Sequence, residues 1–379
     1  MRNPGTSRVA VIVPVFNGAA TLGPCLRALQ GEHGIDEIIV VDDGSTDDTS
    51  TYLSRVEGVR VLRHGVSRGA PAARNTGATA TDAEILAFVD ADVVVLKGAI
   101  ATLVEVLRHS PSTVATVGIY ASRSGVPDFV SDYKNLWIRL SYLRGPRQID
   151  WMMTACCVVR HSALAAIGYF DPSKSAAAAT DDIDVGRRLA AAGGRIELVT
   201  AAEAQHRKRY SLRSFCRNEW TRSRAWTELA WQQLGVAGIA RRQSFNNIPL
   251  SFVSAMVSQG VALLGMLAGL AGASGGWYIF GVGMVATLVL HRRWLLFLAA
   301  ERGVRFAAAS VPLLCLDLLC CGLGLWVGTL TSAGRLGRSL VDRRRWPPSQ
   351  HQRVLRSGDR TEAGEERGVQ GSGSPCPPC

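Results

Sequence analysis

Two aspartates one residue apart, Asp90 and Asp92, close the apolar run Ile85-Leu86-Ala87-Phe88-Val89. In an extended segment residues i and i+2 face the same side, so the two carboxylates can converge on one ligand. Hard oxygen donors at the end of a buried strand suit Mg²⁺ or Mn²⁺, ions that commonly share their shell with substrate phosphates. A bare Asp-x-Asp is also what a strand ending in a polar turn looks like, so the neighbouring residues decide its meaning. Asp42 and Asp43 end a second apolar run, Glu37 to Val41. Four carboxylates at strand ends repel one another unless a cation or a base-and-ribose ligand satisfies them, which points to a nucleotide–metal site. A further acidic group, Thr180-Asp181-Asp182-Ile183-Asp184, opens a helical pattern. Thr180 can cap that helix, and its positive end should hold the carboxylates ionised.

The elements that must position these residues alternate in type. Val9 to Val15 is a continuous apolar, β-branched run, as a parallel strand buried on both faces requires. Ala19 to Gln30 places Leu22, Leu26 and Leu29 on one helical stripe. Strands are expected at Glu37–Val41, Val59–Leu62 and Glu84–Asp90, with an Ala-rich helix over Gly69–Thr79. Such alternation predicts an α/β, doubly wound, mostly parallel sheet, whose ligands bind beyond the carboxyl ends of its strands. Further on, Lys97–His109 reads as a surface helix, Ser112–Gly118 and Trp151–Val159 as strands. Asp128–Leu143 is amphipathic, with Tyr133, Leu136, Trp137 and Leu140 on a stripe expected to pack on the sheet.

These residues carry a family resemblance. Val13-Pro14-Val15-Phe16-Asn17, Val41-Asp42-Asp43-Gly44-Ser45-Thr46-Asp47, Ala73-Arg74-Asn75-Thr76-Gly77 and Val89-Asp90-Ala91-Asp92 resemble, in order and spacing, a family 2 glycosyltransferase of the GT-A fold. The resemblance covers about residues 8 to 240. It implies that Asp43 and Asp42 contact the nucleotide base and that Pro14 and Phe16 line its pocket. It places Arg74 in the donor pocket, Asp90 by the ribose and Asp92 on a divalent metal, Mg²⁺ or Mn²⁺. Asp182 stands where the family has its general base, with Asp181 replacing a glutamate. His206 stands where some relatives complete the metal shell. The Gln-x-x-Arg-Trp signature of processive synthases is absent; Arg222-Ser223-Arg224-Ala225-Trp226 does not match it.

Composition bears on partners. The chain has 379 residues, a formal charge of +11 and 47% hydrophobic residues. That combination suits a protein lying against an anionic membrane and not a nucleic-acid binder. Nine cysteines without zinc-ribbon spacing read as reduced, buried thiols. The polar stretch Met1–Arg8 predicts no signal peptide. Ile248–Ala273, Trp277–Leu290 running on into Trp294–Ala300, and Ala307–Thr331, interrupted only by Asp317, are candidate membrane segments. Basic residues from Arg207 to Arg242 precede the first, predicting a multi-pass protein of the cytoplasmic (inner) membrane with its catalytic domain facing the cytoplasm. Three full spans would set Arg335, Arg338 and Arg343 to Arg345 on the other side, so an interfacial stretch around His291–Arg305 is expected.

The expected organisation is a GT-A catalytic domain at 1–247, with a donor half at 8–96 and an acceptor half at 97–247. A membrane region at 248–335 with two or three spans and a basic, then disordered, tail at 336–379 follow. The expected activity is inverting transfer of a sugar from a nucleotide-sugar donor to a hydroxyl of a lipid-linked or membrane-associated acceptor, in contact with membrane lipids and without nucleic acid. A polyprenyl-phosphate sugar synthase and a non-catalytic nucleotide-binding scaffold are the alternatives.

Overall fold

The computed structural model describes residues 7–174, 180–241, 244–245 and 248–345. The chain divides into a unit Met1–Thr329 and a second unit, Leu330–Cys379; the architecture below belongs to the first, apart from the last residues of its final helix. Its N-terminal part alternates as the apolar runs require: β1 (Val9–Val15), α1 (Leu22–Gln30), β2 (Glu37–Asp42), α2 (Thr49–Leu53), β3 (Arg60–Arg63), α3 (Ala70–Thr79) and β4 (Ile85–Val89). Every residue of β1 and β4 is buried. The four strands lie side by side in the order β3-β2-β1-β4, all parallel. Parallel pairing sends every strand's carboxyl end to the same edge, and Asp42, Asp43, Asp90 and Asp92 follow those ends.

Beyond β4 the sheet changes character. The chain continues through β5 (Val93–Val95), α4 (Ala99–His109), β6 (Thr113–Tyr120), α5 (Phe129–Leu143), β7 (Gln148–Ile149), β8 (Cys156–Arg160), α6 (His161–Ala166), α7 (Thr180–Ala191) and β9 (Arg195–His206). The strand order runs on from β4 as β8-β6-β9-β5, with β7 on β9. β8 is antiparallel to both β4 and β6, and β5 and β7 are antiparallel to β9. The mostly parallel sheet expected from sequence thus holds for β1 to β4, while the nine-stranded sheet as a whole is mixed. Of the expected Trp151–Val159 strand only the part from Cys156 pairs, in a strand that runs on to Arg160, because residues 151–155 run as a buried connection beneath α7. β9 escaped the sequence reading: Glu197, Thr200, Glu203 and Gln205 break its apolar pattern.

A second core gathers the remaining helices, α8 (Leu212–Arg241), α9 (Leu250–Leu270), α10 (Ser274–Leu290), α11 (Arg292–Arg302) and α12 (Val304–Arg345). The stripe on α5 joins this core, while Ile138 and Tyr142 of the same helix pack against the sheet, so the expected packing holds for the helix but not for the stripe. Tyr133 meets Trp294 edge-on at 5.4 Å, and Trp137 meets Phe252 at 5.2 Å. Its large aromatic rings find matching apolar partners only on the C-terminal helices.

α9 and α10 pack backbone to backbone. A Cβ at Gly265 would fall 2.6 Å from the Phe280 nitrogen, and one at Gly283 would fall 2.8–2.9 Å from Ala262 atoms. Small residues at a crossing allow that approach. The outer faces expose Val257, Leu264, Leu267, Tyr278 and Val285. Phe252–Leu270 and Val304–Ala333 are long and apolar enough to cross a membrane, and α10 with α11, bent by 62°, makes a third span if counted as one. The bend falls at His291. Past it, α11 docks on the α/β part: Trp294 and Leu298 are buried, and Arg302 donates to Asp132 at 3.0 Å and to the Ser122 carbonyl at 2.7 Å. Residues 346–379, with the Cys376–Cys379 pair, lie outside the described residues.

Candidate active site

One guanidinium joins the end of β4 to the start of α7. Arg74 on α3 donates from Nη2 to Asp90 Oδ1 at 2.9 Å and from Nη1 to Asp181 Oδ2 at 2.7 Å. It lies over the Phe170 ring, 5.6 Å from the centroid, and its side chain is 4% exposed. A charge so deeply buried requires counter-charges, and the two carboxylates supply them. The resemblance placed Arg74 in the donor pocket. The structure makes it a strut beneath the site, with both terminal nitrogens engaged by protein. Asp181, where the family has a longer glutamate, is the strut's other anchor and is buried.

α7 carries Asp181 and Asp182 in its first turn. It lies close against residues 151–152, because a Cβ at Gly186 would fall 2.9 Å from the Met152 nitrogen and nearer still to the Trp151 backbone. At that distance the Met152 N–H donates to the Asp182 carbonyl at 3.1 Å, and Thr154 Oγ1 donates to the Asp182 carboxylate at 2.6 Å. Burial first, and then the Asp181 charge, push the Asp182 pKa up to about 8, against the opposing pull of Arg74. Sequence reasoning expected the helix end to hold this carboxylate ionised. Desolvation and a like charge outweigh the dipole here. A carboxyl so placed titrates close to neutral pH, where proton acceptors work best.

Asp92 reaches its partner through sheet register. β5 pairs with the end of β9 so that Val93 stands level with His206, and the Arg207 N–H donates to the Asp92 carbonyl at 2.7 Å. His206 Nε2 then lies 3.5 Å from Asp92 Oδ2, its ring stacked 4.7 Å from that of Tyr120. Burial alone would raise the Asp92 pKa; His206 and Lys208 more than offset it and hold the carboxyl below its ordinary value. The Asp92 side chain keeps 30% of its surface exposed. A carboxylate facing an imidazole, with solvent on the open side, is a donor set that fits Mn²⁺ and leaves positions for phosphate oxygens.

Asp42 and Asp43 are treated differently. Asp43, 2% exposed, accepts from His64 Nδ1 at 2.6 Å, from Ser67 Oγ at 2.7 Å and from the N–H groups of Arg68 and Gly69. Asp42 accepts from the Ser45 N–H at 2.9 Å and Ser50 Oγ at 2.6 Å. For both, burial would raise the pKa, and the hydrogen bonds hold it below the ordinary value. The expectation that all four strand-end carboxylates need a cation or ligand for relief therefore fails for these two. Nearby, Pro14 is buried within β1 while Phe16 is 51% exposed. Asn17, at φ 52°, ties this loop to the next by accepting from the Thr46 and Asp47 N–H groups.

Sequence reasoning missed His64, Thr154 and Tyr120, none of which stands in a chemical motif that spacing could flag, and gave no role to Asn17, although it closes the first of the four motifs. Asp317, singled out as an intramembrane acid, belongs to a buried group with Glu219 and Cys321. Lys134 Nζ, 2.7 Å from Glu219, already supplies the cation there, and the Tyr133 hydroxyl donates to Asp317 at 3.4 Å.

Comparison with known proteins bears on the same residues. Residues 10–168 match the sequence model described as "Glycosyl transferase family 2". The chain is 30% identical over 224 residues to the pre-mycofactocin glycosyltransferase of Mycobacterium tuberculosis, covering 56% of this chain and 45% of that one. It is 32% identical over 104 residues to the GalNAc(5)-diNAcBac-PP-undecaprenol beta-1,3-glucosyltransferase of Campylobacter jejuni, covering 26% of this chain and 34% of that one. The chain thus spans less than half the length of these curated relatives. Among solved structures, the mannosyltransferase PcManGT from Pyrobaculum calidifontis, in complex with GDP-Man and Mn²⁺, aligns over 87% of this chain and 88% of that one, with a TM-score of 0.51 and 18% identity. Fold and sequence agree: residues 10–168 match the model of glycosyltransferase family 2, in a chain of the GT-A fold.

Proposed function

We propose that this chain is a membrane-anchored, metal-dependent, inverting glycosyltransferase. It moves a sugar from a nucleotide sugar to a hydroxyl of a lipid-linked or membrane-presented acceptor. The observation that carries the reading is the pairing of Asp92 with His206 on one side of the Arg74 strut and Asp182 on the other. The first pair faces the departing diphosphate, and the second group faces the incoming hydroxyl.

In this reading Phe16 and Pro14 flank the base, and the loops held by Asp42 and Asp43 set the base pocket's shape. Asp90, bonded to Arg74 through one oxygen, presents its exposed edge to the ribose. Asp92 and His206 would hold Mg²⁺ or Mn²⁺, which when bound neutralises charge on the leaving diphosphate. Asp182, oriented by Thr154, accepts the acceptor's proton as its oxygen bonds to the anomeric carbon and the bond to the diphosphate breaks. One displacement inverts that carbon.

A hydroxyl acceptor is favoured over a phosphate acceptor because Asp182 is poised as a base, which a phosphate does not need. Support for the lipid side comes from the apolar α9–α10 hairpin and α12, and from the lipid-linked substrate in the name of the Campylobacter jejuni relative. The basic run before α9 favours the cytoplasmic face of the inner membrane for the catalytic domain. The test is a donor screen with membranes containing the full-length protein and Mn²⁺, read by mass spectrometry of extracted lipids. Sugar transfer with inverted configuration is expected. Retained configuration, or transfer that persists unchanged in chelator, would overturn the mechanism.

A further inference from the structure

We propose that the corner where α10 turns into α11 binds the phosphate group of a membrane lipid. This rests on the membrane-anchored reading above and adds a site to it. His291 caps α11, and Arg292 and Arg293 occupy the helix's first turn with no acidic residue among them. Cations at a helix N-terminus oppose its dipole, an arrangement that an anion relieves. Arg144, just past the end of α5, comes within electrostatic reach of Arg293 and of His291. Among the described residues none of these three arginines forms an ion pair, and the one side-chain hydrogen bond they make is from Arg292 Nη1 to the Val289 carbonyl, at 3.2 Å.

An independent observation points to the same place. His291 is 6% exposed, and although the Thr287 backbone acts on its ring, Nδ1 has no hydrogen-bond partner of good geometry. Its ring is enclosed by Trp137 and Phe252, with centroids 6.2 Å and 5.8 Å away. A buried ring nitrogen without a partner calls for a ligand to complete it. A phosphate oxygen can accept from it while the arginines neutralise the charge. The location fits the chemistry: the corner ends the apolar hairpin and carries tryptophan beside cations, the composition found at headgroup depth.

Lipid phosphate could come from bulk anionic phospholipid or from a polyprenyl phosphate carrier, and the experiment separates them. Full-length protein in detergent is titrated with phosphatidylglycerol, with polyprenyl monophosphate, and with phosphatidylcholine as reference, and bound lipid is counted by native mass spectrometry. The wild type should retain one anionic lipid that phosphatidylcholine does not displace. Retention of both anionic lipids identifies a general headgroup site; retention of polyprenyl phosphate alone identifies a carrier site. Arg144→Gln with Arg293→Gln should weaken that binding about thirtyfold, the loss expected when two arginines near an anionic headgroup are neutralised. The double lysine variant should keep most of it. No preference over phosphatidylcholine, or equal binding by the glutamine pair, overturns the site. Carbonate extraction of the same membranes, with the protein staying in the pellet, would leave the anchoring intact in that event.

Discussion

Asp42–Asp43 and Asp90–Asp92 follow the two strands that flank β1, and the fold puts them to opposite uses. The first pair is 1–2% exposed and surrounded by hydroxyl, imidazole and backbone N–H donors. The second pair keeps about a third of each side chain open, and its partners are one arginine and one histidine. What differs is the loop that follows. Residues 44–50 and 64–69 bring small, donor-rich backbone to the first pair, whereas the chain after Asp92 returns at once into β5. A carboxylate saturated with protein donors holds a loop; one left half-open can hold a ligand.

The comparison breaks or sharpens through substitution. Asp182→Asn, across the strut from both pairs, should lower transfer by ~10²–10⁴ while nucleotide-sugar affinity, measured by calorimetry, stays near wild type. Equal rates would remove Asp182 from the chemistry. Asp92→Asn should lower activity by roughly 10² and abolish the response to added Mn²⁺, since a metal supplies several kcal/mol at the transition state. Asp43→Asn should act on stability, costing about 1–3 kcal/mol as its buried donors lose an ionic acceptor, seen as a lower unfolding midpoint. An unchanged midpoint with lost nucleotide affinity would erase the distinction between the pairs.

The pH dependence follows from Asp182. Its folded pKa, about 8, stands above the ordinary aspartate value of 3.8. Between those values the folded state binds more protons than the unfolded state, so this group's contribution makes stability fall as pH rises from about 4 to 8. Asp182→Asn should flatten that segment of a melting-temperature profile. In the wild type kcat/KM should rise with pH toward a plateau above about 8, because ionised Asp182 is the working form. The smallest effect is expected from Thr154→Val, which removes one donor from the ionised form and should move the inflection upward.

The donor half was legible because its information is local. Apolar runs in β1, β2 and β4, alternating with helices, fit buried parallel strands, and the polar residues that end such strands lie at one edge. The acceptor half was less so. β5 and β7 are too short to show a period, β9 is broken by polar residues, and the antiparallel entry of β8 between β4 and β6 is a decision about partners distant in sequence. The α5 stripe illustrates the same limit. Its 3.6-residue period announced a buried face, but nothing in residues 128–143 states that the face meets Trp294 and Phe252.

The residue types at the site, their order and the apolar, span-length character of the C-terminal helices were therefore determined by the sequence alone. Each follows from short-range patterning or from a motif whose members are close in the chain. Which carboxylates remain open, that Arg74 is buried between Asp90 and Asp181, and that Asp182 titrates far above an ordinary aspartate were decided by tertiary structure. Those properties depend on desolvation and on charges brought together across 16 to 107 residues of chain, and no local pattern encodes such distances.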